Sequence, residues 1–141
     1  MLVPDVNILL SAEFYDLAHH RVARAWLRDA CDGHELVGIP GPVLSAFVRI
    51  STNPRVFGGP HSPELAFRRV RELLATPAAV ALHEGPRHWE LFERICLQSG
   101  ITGPHVSDAY LAAFAIENNA TFVTFDRGFQ RFPGLRAIEP A

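Results

Sequence analysis

Val3-Pro4-Asp5-Val6-Asn7 opens the chain as an apolar run that ends on an acid. Such a run reads as a buried strand whose last residue stands at the rim of a sheet. The pattern returns at Thr121-Phe122-Val123-Thr124-Phe125-Asp126, where another apolar strand runs out beside an acid. Between them, Ser107-Asp108-Ala109-Tyr110-Leu111-Ala112-Ala113 puts a third acid in the first turn of an apolar helix. Backbone N–H groups favour an anion at that position.

Working outward, the two kinds of apolar spacing alternate along the whole chain. Apolar runs at 2–6, 35–39, 79–82, 121–124 and 135–138 read as strands. Helical spacing fills 7–14, 16–30, 43–50, 63–75, 86–99 and 107–118. In the second of these helices Val22, Ala23, Trp26, Leu27 and Ala30 are expected to form one buried stripe, and Phe14 and Tyr15 read as core. In the fourth, Leu65, Phe67 or Val70, and Leu73 are the inward set, with Arg68, Arg69 and Arg71 on a solvated face. Ser62 and Pro63 supply a helix start, while Gly100 and Asn119 supply helix ends. Residues 52–62, with their prolines and Gly58-Gly59, form a loop. The alternation predicts a single α/β domain over residues 1–141, three layers around a mostly parallel sheet of about five strands. Sites in such sheets form beyond the carboxyl ends of strands, at a switch in strand order. All three acids belong to that rim.

A chain of 141 residues, 48% hydrophobic and 20% charged with a net charge of −2, suits a folded domain and excludes a disordered tail. No apolar run approaches the roughly 20 residues of a membrane span. The first residues carry neither a basic leader nor a cleavage site, so a cytoplasmic protein is expected. Cys31 and Cys96 show no paired spacing and read as reduced thiols, and the seven histidines lack zinc-ligand spacing. His105 reads as a surface or helix-capping residue. All thirteen basic residues are arginine, whose guanidinium forks onto phosphate and stacks on bases. RNA contact is therefore open to this chain. With a pI near 6.4 and no long basic run, any nucleic-acid site has to be local.

Asp5 and Asp126 are flanked by apolar strand residues, and Asp108 heads a helix that must be buried. Carboxylates so placed are costly without partners. Two of them about 4 Å apart repel by roughly 4 kcal/mol at an effective dielectric near 20. The chain has no lysine, and Arg127 alone adjoins one of the acids, so a divalent cation, Mg²⁺ or Mn²⁺, is the expected counter-charge. An oxygen-rich cage around such an ion suits phosphodiester hydrolysis by water. Asn7 and Thr124, two positions from Asp5 and Asp126, read either as groups that orient the carboxylates or as local turn formers. Arg49, Arg55 and Arg127 are the arginines expected to steer RNA.

Asp5 in its strand, the Ser107-Asp108-Ala109 helix start and Thr124-Phe125-Asp126-Arg127-Gly128-Phe129 together resemble the PIN-domain ribonucleases. More narrowly they resemble the VapC toxins of type II (VapBC) toxin–antitoxin pairs. The 18 residues between Asp108 and Asp126 suit that family, as do Phe47-Val48-Arg49-Ile50-Ser51-Thr52-Asn53-Pro54-Arg55-Val56-Phe57 and Phe132-Pro133-Gly134-Leu135. The resemblance implies a three-layer α/β/α PIN-like domain and an endoribonuclease with Mg²⁺ or Mn²⁺ at Asp5, Asp108 and Asp126. It implies in-line attack by water that leaves a 5′-phosphate and a 3′-hydroxyl. It also implies a VapB-type antitoxin in a groove near the first two helices, and a homodimer. One departure is plain: the family's usual glutamate on the third helix, shortly before an arginine such as Arg49, is here Ala46. Ser45, Glu13 and Asp16 are the substitutes on offer.

Three rival readings follow from the same residues. A haloacid-dehalogenase-like phosphatase also starts with an aspartate ending its first strand, but its second aspartate would fall at Asn7. A catalytically weak or inactive PIN-like module that binds RNA or protein is the reading Ala46 favours. A nucleotide-binding protein is disfavoured because no glycine-rich loop follows the first strand.

Overall fold

The computed structural model describes residues 1–141. Five strands, β1 (Leu2–Pro4), β2 (Val37–Pro40), β3 (Ala79–Leu82), β4 (Thr121–Val123) and β5 (Arg136–Ile138), form one sheet. Every pairing is parallel and the order is β3-β2-β1-β4-β5. The chain moves outward from β1 to β3, then returns to the other side of β1 for β4 and β5. The order therefore reverses between β1 and β4.

Parallel neighbours need long crossovers, and six helices provide them: α1 (Val6–Glu13), α2 (His20–Cys31), α3 (Gly41–Ser51), α4 (Pro63–Leu74), α5 (His88–Ser99) and α6 (Val106–Glu117). They cover both faces of the sheet. One core cluster joins Leu9, Leu10 and Phe14 of the α1 segment with Val43 and Phe47 of α3 against Val37 and Ile39 of β2. The other sets Leu91 and Ile95 of α5 and the small-residue face of α6 against Val3, Phe122, Phe129 and Phe132. Alanines at 109, 112, 113 and 115 let α6 lie close on the sheet, with Phe114 fully buried beside them. The expected three-layer α/β/α arrangement is present. No helix is long and apolar enough to cross a membrane, and Cys31 and Cys96 are both free thiols.

The structure departs from the sequence reading in particular places. α2 begins at His20 rather than near residue 16, because Leu17 N–H bonds to Phe14 O and His20 N–H to Leu17 O in successive turns. Those turns bury Phe14 flat against Phe57, with ring centroids 3.7 Å apart. They leave Tyr15 exposed, and α2 leaves Val22 exposed and Trp26 half-buried. Phe67 is also on the outside, since α4 buries its stripe through Ala66. Arg69 is not on a solvated face: Glu13 holds it at 2.8 Å. Two short 3-10 turns, Gly103–His105 before α6 and Arg127–Arg131 after β4, were not foreseen.

Candidate active site

β1 and β4 lie side by side with Pro4 opposite Val123, and Asp5 N–H donates to Val123 O at 2.9 Å. The backbone register therefore brings Asp5 and Thr124 off the sheet together, at the point where strand order reverses. Asp5 is only 5% exposed. Its Oδ1 accepts the Val6 N–H at 2.7 Å, which caps α1. Its Oδ2 accepts the Thr124 hydroxyl at 2.7 Å and the Asn7 amide at 3.0 Å.

The Thr124 hydroxyl ties the site together. While donating to Asp5, it accepts from Asn7 Nδ2 at 3.0 Å and from the Asp126 N–H at 3.0 Å. One donated and two accepted bonds fill its capacity. Asn7 Oδ1 in turn accepts the Phe125 N–H at 3.3 Å. Asn7 and Thr124 thus form one hydrogen-bonded network that holds the Asp5 carboxylate and the backbone of Phe125 and Asp126.

Asp126 is exposed and caps the Arg127–Arg131 turn, accepting the Gly128 N–H at 2.8 Å. Asp108, in the first turn of α6, is half-buried. Its Oδ2 lies 3.2 Å from Arg131 Nη2 and 3.5 Å from His105 Nδ1. A half-exposed pair of the Arg131–Asp108 kind stabilises by about 1 kcal/mol or less. Burial is the main cause that pushes the Asp5 carboxyl above the ordinary aspartate range. The hydrogen bonds from Thr124 and Val6 pull it partly back, and the charges of Asp108 and Asp126 push it up again. The three acids do not form a closed cage: no three acidic, histidine or cysteine side chains converge closely enough to grip one ion directly. Each acid instead holds its own partner, Thr124 and Asn7 for Asp5, Arg131 for Asp108 and Gly128 N–H for Asp126. The donors of the three acids are carboxylate oxygens, the ligand type that hard cations such as Mg²⁺ and Mn²⁺ take.

The three arginines expected to meet RNA make no ion pair with Asp5, Asp108 or Asp126. Arg127 extends into solvent and pairs with Glu139 at 2.9 Å. Arg49 lines a shallow depression between α3 and α4 with Ser45 and Phe67, and Arg55 is exposed in the 52–62 loop. The arginine that pairs with one of these three acids is Arg131, on Asp108, which sequence reasoning missed. The signal for it was slight: a basic residue five positions after Asp126, brought back by a tight turn that has no apolar period. His105, read as a surface or capping residue, is exposed at the start of α6 but makes no side-chain cap. Of the substitutes for the missing glutamate, Glu13 is taken by His61 at 2.9 Å and Arg69 at 2.8 Å. Asp16 and Ser45 are exposed, and neither makes a hydrogen bond to the acids.

A PIN-domain family model matches residues 2–135. Ribonuclease VapC43 of Mycobacterium tuberculosis is 44% identical over 140 residues, covering 99% of this chain and 95% of its own length. Ribonuclease VapC33 of the same organism is 36% identical over 140 residues, covering 99% and 98%. Among solved structures, VapBC2 from Rickettsia felis bound to a DNA fragment from their promoter aligns with a TM-score of 0.73 and 18% identity, over 99% of this chain and 98% of that one. VapC20 of M. tuberculosis, a sarcin-ricin loop cleaving toxin, aligns with a TM-score of 0.70 and 15% identity, over 96% and 99%. At those identities the two structures speak for the fold. With the full-length sequence relatives beside them, this chain belongs to the PIN-domain family and, within it, to the VapC ribonucleases.

Proposed function

We propose that this protein is an endoribonuclease toxin that hydrolyses RNA phosphodiester bonds, with Mg²⁺ or Mn²⁺ held by Asp5, Asp108 and Asp126. The observation that carries this reading is the buried Asp5 carboxylate at the switch in strand order, hydrogen-bonded to the Thr124 hydroxyl, which also accepts the Asp126 N–H. The donors are all carboxylate oxygens, the hard ligands these ions take. Bound there, the cation supplies the charge that holds a phosphate and makes a neighbouring water acidic enough to attack it. Thr124 and Asn7 keep Asp5 in one orientation. The Gly128 N–H does the same for Asp126. The phosphatase reading fails on Asn7, whose amide is committed to Asp5 and Thr124.

A VapB-type antitoxin is the proposed partner. A cavity of about 410 Å³ opens among α1, α2, α3 and α4, lined by Leu9, Leu27, Phe47 and Leu73 with Arg24 and Arg28. An apolar floor with charged edges suits an amphipathic segment.

Ala46 keeps a second reading in view, a binding module without activity, because Glu13 is bound elsewhere. One assay separates the two. Purified protein is incubated with RNA in Mg²⁺ or Mn²⁺ and in EDTA, beside Asp5→Asn and Asp126→Asn. Cleavage that needs the cation and falls by roughly a hundredfold or more in both variants is the expected result. Cleavage at the wild-type rate in both variants would overturn the assignment of the acids. An inert wild type that still binds RNA would establish the module.

A further inference from the structure

We infer that Arg131 is a phosphate-binding residue held in reserve: it pairs with Asp108 in the free protein and passes to the RNA when cation and substrate arrive. This rests on the nuclease reading above and assigns a residue that the acids alone do not. Its geometry is that of a shared resource. Arg131 Nη2 lies 3.2 Å from Asp108 Oδ2 and 3.1 Å from His105 Nδ1. The other guanidinium nitrogens, Nε and Nη1, make no hydrogen bond, so three of the five donors are without a protein acceptor. A fork of this shape fits two oxygens of one phosphate.

The seat for this side chain is built. Its guanidinium carbon stands 4.7 Å from the centre of the buried Phe132 ring. Gly128 leaves room for it: a Cβ there would fall 3.0 Å from Arg131 Nη1 and 2.9 Å from Asp126 Oδ1. One hydrogen atom at position 128 thus lets the turn carry an acid and an arginine on the same side. The other arginines considered for RNA lack this placement, since Arg127 is bound to Glu139 and neither Arg49 nor Arg55 touches an acid of the site.

The charge count makes the exchange work. Arg131 occupies Oδ2 of Asp108, so it would compete with a cation for that carboxylate. Were Asp108 to hold the cation, the Arg131 guanidinium would be freed for an anionic phosphate. The ion pair is half-exposed on both sides, so its rupture is a small cost that a phosphate contact offsets.

The test uses full-length wild type, Arg131→Gln and Arg131→Lys, with equal thermal unfolding as the check on folding. Mn²⁺ titration followed by calorimetry should show Arg131→Gln binding the ion roughly two- to fivefold more tightly, since a competitor worth one exposed ion pair is gone. Anisotropy of a labelled, cleavage-resistant single-stranded RNA of about 12 nucleotides in saturating Mn²⁺ should show weaker binding of Arg131→Gln by about tenfold, and a smaller difference in EDTA, where Asp108 still holds the arginine. Arg131→Lys should restore most of the RNA affinity. A purely structural role would not move the two affinities in opposite directions. Unchanged or weaker Mn²⁺ binding in Arg131→Gln, or unchanged RNA binding, would overturn the inference even if the wild type cuts RNA. Opposite shifts in a wild-type protein that fails to cut RNA would refute the nuclease reading and leave the exchange standing.

Discussion

The Thr124 hydroxyl meets one acceptor and two donors inside a buried site, so few changes are tolerated there. Thr124→Val keeps the shape and leaves Asp5, Asn7 and the Asp126 N–H each short of a partner. The expected cost is about 1–3 kcal/mol in urea unfolding, with a loss of RNA cleavage, while Thr124→Ser retains both. A valine variant as stable and active as the wild type would contradict the network. Gly128→Ala should weaken Mn²⁺ binding, because the new Cβ meets Asp126 Oδ1 at 2.9 Å. The legible part of the site was its acids: Asp5 and Asp126 end apolar strands, and Asp108 heads an apolar helix, which are patterns of sequence. Arg131 was hidden because its pairing with Asp108 spans 23 residues and depends on an aperiodic turn. That no tight cage forms was equally invisible, since side-chain direction follows from partners such as Arg131 and Gly128 that the strand pattern does not name.

Single side chains also set how helices and loops meet. Glu13, the last residue of α1, receives His61 from the 52–62 loop and Arg69 from α4 through one oxygen. Its hydrogen bond is the first cause that pushes Arg69 above the ordinary arginine range, and Glu72 adds to it. Glu13→Ala should loosen all three segments and cost about 1–2 kcal/mol, read from the urea midpoint. At the other end, Glu117 of α6 accepts the Gly85 N–H at 2.8 Å and the Arg87 N–H at 2.7 Å and so fixes the approach to α5. Gly85 is required for that grip, as a Cβ would fall 2.6 Å from the carboxylate. Elements with end signals were readable: Ser62 accepts the Leu65 N–H at 3.1 Å, as its position before Pro63 predicted. The start of α2 was not, because burying Phe14 against Phe57 set the turns before it. Propensity within 16–19 carries no sign of a partner more than forty residues away.

The parallel three-layer architecture could be read from alternating spacing, but the order β3-β2-β1-β4-β5 could not. It is that order which sets β4 beside β1 and brings Asp5 and Asp126, distant in sequence, to the ends of adjacent strands. A consequence for the whole molecule is how its stability varies with pH. Asp5 titrates above its unfolded value, chiefly through burial. The folded state thus binds its proton more tightly, and this contribution is present below the unfolded pKa and lost as pH rises through the folded one. A cation held by Asp5, as proposed, would offset that deficit at neutral pH and compete with the proton in acid. The rise in Tm on adding Mn²⁺ should therefore be larger at pH 7.5 than at pH 5; equal shifts would mean that the ion does not bind through Asp5. The central claim is that Asp5, Asp108 and Asp126 serve one cation, and Mn²⁺ bound per chain, counted by electron paramagnetic resonance at neutral pH, tests it directly. Saturable binding is expected in the wild type and is expected to be lost in Asp5→Asn, in Asp108→Asn and in Asp126→Asn alike, each variant remaining folded. Undiminished binding in any one of them would contradict the claim.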